Sequence, residues 1–119
     1  METKSQVQKM DAMVSQGDIV NAVKEFFALN AKTSDYAQVA TSNKEQMVEK
    51  MEGFLGAIEK VNGITHHRTL VDGNASASEF TFDFDMKDGS KIYWHEIIRR
   101  VWKDNLVVEE EYFNASNTH

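Results

Sequence analysis

The chain has 119 residues, enough for one domain with a core and too few for two. At 41% apolar and 27% charged its composition is that of an ordinary globular protein, and no apolar run approaches the ~20 residues needed to cross a bilayer. A formal charge of −6 argues against nucleic acid or an anionic membrane as a partner, and zero cysteines exclude a disulfide framework and thiol chemistry.

No signal peptide is visible at the start of the chain, so a cytoplasmic location is expected. Residues 1–5 are polar and expected to fray. Val7, Met10, Met13 and Val14 then recur at helical spacing over 6–16, and Gly17 stops that helix. Asp18 caps a second helix whose stripe is Ile19, Val20, Val23, Phe26 and Phe27. From Asn30 to Thr41 the pattern weakens to a loop or one short strand. Ser42-Asn43-Lys44-Glu45 reads as a capping box, opening a third helix that carries Met47, Val48, Met51, Phe54, Leu55 and Ile58 to about Val61. Ile64 to Asp72 follows as a strand and Asp72-Gly73-Asn74 as a turn.

Glu79 to Phe113 reads as three antiparallel strands joined by two hairpin turns, at Lys87-Asp88-Gly89-Ser90 and at Asp104-Asn105. A two-residue loop at Asp104-Asn105 pairs Trp102 with Val107, Arg100 with Glu109, Ile98 with Glu111 and Glu96 with Phe113. One face then holds Trp94, Glu96, Ile98, Arg100, Trp102, Glu109, Glu111 and Phe113. The other holds Tyr93, His95, Ile97, Arg99, Val101, Val108, Glu110 and Tyr112. The stripe Phe80, Phe82, Phe84 joins the first face if the preceding turn is a three-residue loop with Gly89 in a left-handed bulge, and the second if it is a two-residue loop. The first is favoured. Residues 1–113 are read as one domain and 114–119 as a disordered tail.

Helices followed by an antiparallel meander make an α+β domain, with the sheet curling around the longest helix into a cone. The run Gln16-Gly17-Asp18-Ile19-Val20-Asn21-Ala22-Val23 with Phe26-Phe27, then Asn43-Lys44-Glu45-Gln46-Met47, then the two hairpins ending in RRVWKDNLVVEEEYF, resembles the nuclear transport factor 2-like superfamily and, within it, its SnoaL-like and ketosteroid-isomerase-like branch. The resemblance covers about Met10 to Phe113 and implies the cystatin-like cone, a small-molecule pocket needing no cofactor, and a homodimer. An ungapped count places Asp35 on the isomerase's general-base aspartate. Met10 falls on its oxyanion-hole tyrosine and Ile98 near its donating aspartic acid, and neither can donate, so the steroid reaction is not implied. Glu109 and Glu111 fall where SnoaL-like cyclases carry a His-x-Asp pair.

The functional expectation is a binder of an apolar carbonyl compound with Asp35 or Glu111 moving a proton. Tyr36, Met47, Met51, Phe54, His67, Trp94, Glu96, Ile98, Arg100, Trp102, Glu109 and Phe113 are the expected ligand contacts, with Arg100 free to hold Glu109 or an anionic substrate group. His66, His67 and His95 lack zinc-binding spacing, and no metal is expected. Tyr93, Ile97, Val101, Val108 and Tyr112 are the expected dimer surface. The alternative is a non-catalytic interaction module whose own aromatic side chains fill the cone.

Overall fold

The structure, a computed structural model, describes residues 2–35 and 38–114. Three helices, α1 (Glu2–Ser15), α2 (Ile19–Phe26) and α3 (Lys44–Gly56), pack against the concave side of one sheet made of β1 (Phe27–Asp35), β2 (Gln38–Thr41), β3 (Ile58–Asp72), β4 (Ala75–Met86), β5 (Lys91–Lys103) and β6 (Leu106–Asn114). The strand order is β2-β1-β6-β5-β4-β3. All neighbours are antiparallel except β1 and β6, which run parallel. None of the three helices is long and apolar enough to cross a membrane.

The helix signals hold with local changes. Gly17 (φ +82) ends α1 and donates to the Val14 carbonyl at 2.9 Å. Asp18 occupies the N-cap of α2, but its carboxylate accepts from the Asn21 side chain (2.8 Å) rather than from a backbone N–H. At α3 the box is shifted by one residue: the Asn43 side chain accepts from Gln46 N, and Gln46 Oε1 accepts from Ser42 N.

Two expectations about elements are corrected. The stretch from Asn30 to Thr41, expected as a loop or one short strand, holds in its described residues the end of β1 and the whole of β2: Ala31 and Thr33 are buried in β1, and the Thr33 and Thr41 hydroxyls are 2.6 Å apart across the pair. Its weak pattern reflects a strand with a polar outer side and a break in register between Phe27 and Lys32. The third helix ends at Gly56, not Val61, because Ile58 and Val61 pair with Met86 and Phe84 at the start of a 15-residue edge strand. Strand pairing there overrides helical spacing.

Both hairpin turns form as read. Gly89 (φ +92) donates to Met86 O at 3.0 Å in a three-residue loop, so Phe82 stands opposite Trp94 and Phe84 opposite Ile92, with the Phe stripe turned inward. Asp104 (φ 53) and Asn105 (φ 68) form the two-residue loop. Beyond that turn the expected register fails. Trp102 pairs with Val107, but Val101 pairs with Glu109, so Val108 is an extra residue in a β-bulge and every later β6 side chain changes face. Glu109, Glu111 and Phe113 therefore lie on the outer face, and Glu110, Tyr112 and Asn114 on the inner. The expected disordered tail otherwise lies outside the described residues.

Val7, Met10, Val14, Val23, Phe26, Met47, Phe80, Phe84, Ile98 and Trp102 make the buried core between helices and sheet. Because both Asp104 and Asn105 hold positive φ, a β-branched residue there should strain the turn. Asn105→Val is expected to cost on the order of 1–2 kcal/mol in chemical denaturation, and Asn105→Gly to be neutral or stabilising.

Candidate functional site

A cavity of about 370 Å³ opens between the helices and the inner sheet face. Its apolar wall comes from Met10 and Val14 of α1, Val23 of α2, Met47, Met51 and Phe54 of α3, Phe82 and Phe84 of β4, and Trp94 and Ile98 of β5. Phe54 stacks on Trp94 with ring centroids 5.6 Å apart and planes 13° from parallel, and meets Phe84 edge-on at 5.8 Å. The polar end is formed by Asp35, Lys50, Glu96, Arg100, Glu110, Tyr112 and Asn114.

Alternation along β5 and the bulge in β6 put these polar groups together. Arg100 is fully buried and donates through Nε to Glu110 Oε2 (2.8 Å) and through Nη1 to Asp11 Oδ1 (2.9 Å). The second Asp11 oxygen accepts from Ser78 Oγ and Thr69 Oγ1, each at 2.7 Å. Burial works against the Arg100 charge, but the Glu110 and Asp11 carboxylates outweigh it and hold the guanidinium above its usual range. Tyr112 donates to Glu110 Oε1, and burial first, then Glu110, pushes its phenol well above the ordinary value.

Glu96 is the cavity carboxyl whose ionisation is most disfavoured. Burial, then the neighbouring Asp35 and Glu110 carboxylates, raise its pKa from 4.5 to about 7, with Lys50 acting in the opposite direction. Asp35 also lines the cavity, at the end of β1, 4.0 Å from Lys50, with over half of its side chain exposed.

Of the expected contacts, Met47, Met51, Phe54, Trp94, Glu96, Ile98 and Arg100 meet at this cavity with Asp35. Tyr36 lies outside the described residues. Trp102 is core, donating through Nε1 to Ser76 Oγ at 3.0 Å. The bulge removes Glu109, Glu111 and Phe113: Glu109 and Glu111 bind Arg99 on the outer face at 3.3 and 3.0 Å. Arg100 is thus not free for Glu109 or an anionic substrate group. His67 is also on the outer side, with Nε2 2.7 Å from Thr81 Oγ1 and its ring against His95. Its neighbour His66 stacks instead on Phe80. Sequence reasoning missed Asp11, Lys50, Glu110, Tyr112 and Asn114. A signal existed for Asp11 alone, a carboxylate between Met10 and Met13 of a helix taken to be apolar on that side.

No protein-family model and no curated protein sequence matches the chain. Solved structures do match its fold. A SnoaL-like polyketide cyclase candidate from Mesorhizobium loti superposes with a TM-score of 0.84 at 20% identity, covering 95% of this chain and 99% of that one. An uncharacterised cystatin-fold protein from Novosphingobium aromaticivorans matches with a TM-score of 0.81 at 12% identity, covering 95% and 98%. A ketosteroid-isomerase-like protein from Catenulispora acidiphila, in complex with trimethylamine, matches with a TM-score of 0.67 at 17% identity, covering 79% and 73%. Other matches are NTF2-like proteins of unknown function. The chain has the nuclear transport factor 2-like, cystatin-type fold of the SnoaL-like and ketosteroid-isomerase-like proteins, as its sequence motifs implied.

The raised Glu96 pKa has a stability consequence. Below pH 4.5 the carboxyl is protonated folded or unfolded, and the contribution is fully present; it is lost as pH rises through about 7. Glu96→Gln cannot ionise. Between about pH 5 and pH 8 the wild type is expected to lose up to roughly 3 kcal/mol relative to this variant. Urea denaturation across that range measures it, and parallel curves would contradict the assignment.

Proposed function

We propose that the protein binds an apolar carbonyl compound in this cavity and moves a proton on it, as an isomerase, cyclase or dehydratase does. The observation that carries the reading is Glu96: a carboxyl with a pKa of about 7, lining a cavity of about 370 Å³ whose remaining wall is mostly apolar. Near neutral pH such a group is populated in both protonation states, so it can take a proton from carbon and return it. Cavity size and lining suit a ligand of one or two fused rings. The trimethylamine held by one structural neighbour fits the same picture of a small-molecule pocket. Asp35 keeps a share in the proposal as the second carboxylate. Its exposed position beside Lys50 makes it the weaker base candidate, and by lying near Glu96 it raises that residue's basicity.

The chemistry around a bound ketone is one of positioning. Apolar walls exclude water from the carbon acid and Glu96 removes the α-proton; the Tyr112 hydroxyl stands at the same end of the cavity with its proton given to Glu110, so it reaches a developing enolate oxygen only by exchanging that bond. Solvent deuterium exchange tests this without knowledge of the product. Cyclic ketones that raise the melting temperature should exchange α-protons when bound, and Glu96→Gln should slow exchange at least ~100-fold while leaving binding in place. Asp35→Asn should cause a smaller loss and lower the apparent pKa of the rate profile. Binding without exchange would instead support a non-catalytic carrier.

The outer sheet face supports the dimer reading. Tyr93 (63% exposed) and Ile97 (37%) stand there with Val101, and the bulge adds Phe113 while turning Tyr112 inward and taking Val108 into the bulge itself. An exposed aromatic and aliphatic strip of this kind fits a second copy of the sheet. Ile97→Asp is expected to convert a dimer to monomer in analytical ultracentrifugation; a monomeric wild type would remove this part of the proposal.

A further inference from the structure

The charges around the cavity do not balance. Four carboxyl groups, Asp11, Asp35, Glu96 and Glu110, are set against two cations, Lys50 and Arg100. Arg100 is occupied by Asp11 and Glu110 at 2.9 and 2.8 Å. Lys50 lies toward solvent, 4.0 Å from Asp35. The next titratable side chain, His66, has its Nε2 3.6 Å from Asp11 and does not line the cavity. Glu96 therefore faces Asp35 from β1, Lys50 from α3, and Glu110 and Tyr112 from β6, with Arg100 on its own strand, and no cation is committed to it within that group.

The aromatic part of the lining carries the same preference in another form. Trp94, two residues before Glu96 on the same side of β5, stacks with Phe54, and Phe82 and Phe84 continue the aromatic surface. Aromatic faces are electron-rich and attract an alkylated ammonium group, whose methyl or methylene shell also suits an apolar lining. A carboxylate or phosphate ligand would meet repulsion from Glu96, Asp35 and Glu110 and find no uncommitted guanidinium.

We propose that the preferred ligand is an organic cation, an apolar body bearing a protonated or quaternary nitrogen that lodges between the Glu96 carboxylate and the Trp94–Phe54 aromatic wall. This rests on the reading of the cavity as a ligand site and adds a basic nitrogen to the compound class proposed for it. Binding a permanent cation favours the ionised form of Glu96, so affinity rises with pH, whereas a neutral ligand of the same shape gains nothing from that ionisation.

The test compares benzyltrimethylammonium with its uncharged carbon isostere, neopentylbenzene, and with phenylacetate, by calorimetry and tryptophan fluorescence at pH 6 and pH 8. The cation is expected to bind at least about ten-fold tighter than the isostere at pH 8, with most of that advantage lost at pH 6. Glu96→Gln should abolish the pH dependence and leave neopentylbenzene binding unchanged, and Met51→Trp, which fills the cavity, should abolish binding of both. Neopentylbenzene or phenylacetate binding as tightly as the cation at pH 8 overturns the inference but leaves the cavity reading standing. Cation binding that survives Met51→Trp is surface attraction to an acidic protein and also overturns it. If none of the three compounds binds, the ligand-site reading falls with it.

Discussion

The guanidinium of Arg100, buried between Asp11 and Glu110, is the interaction on which the rest of the structure depends. It joins α1 to β5 and β5 to β6 at one point, and the hydroxyls of Ser78 and Thr69 extend the network to β4 and β3. Buried ions are costly to desolvate, and this cluster is tolerable because each carboxylate accepts several charge-assisted bonds. Removing one partner would strand the others in a place water does not reach. The network thus adds to apolar burial in fixing which side of β6 turns inward.

The cavity follows from that constraint. With Glu110 and Tyr112 drawn toward Arg100, the inner surface acquires a polar end, while Phe54, Trp94 and the β4 phenylalanines keep the remainder apolar. Glu96 sits where the two regions meet. Its raised pKa arises from that position: enough burial to disfavour charge, two carboxylates near enough to add to it, and Lys50 too exposed to offset them. The same arrangement raises the Glu96 pKa and leaves the site with an excess of carboxyl groups, so the proposed proton transfer and the proposed preference for a positive ligand have one physical source.

The sequence was most informative where one local rule decided the outcome. Asp104-Asn105 tolerate the positive φ of a two-residue turn, whereas at Gly89 two loop lengths stayed open and the three-residue one, which turns the Phe stripe toward Trp94, was only favoured. It was ambiguous where neighbouring residues are chemically alike. Arg99-Arg100 lies opposite Glu109-Glu110-Glu111, so either register supplies an arginine with a carboxylate on each face. The pattern cannot show a one-residue bulge at Val108, and the faces of Glu109, Glu111, Phe113 and Tyr112 were inverted for that reason. Strand β1 was hidden because half of it faces solvent and its register with β6 breaks after Phe27.

Sequence by itself determined the order of helices and meander, the two hairpin turns, the burial of the Phe80, Phe82 and Phe84 side of its strand and the likeness to SnoaL-like proteins, because spacing, capping and turn chemistry act over a few residues. Only the tertiary structure decided which carboxylates share the cavity, since that depends on a bulge, a parallel β1–β6 pairing and an ion cluster bringing Asp11 against Arg100 across 89 residues of chain. A pKa near 7 at Glu96 is set by the burial and charge of residues remote in sequence, and it exists only once they have been packed together.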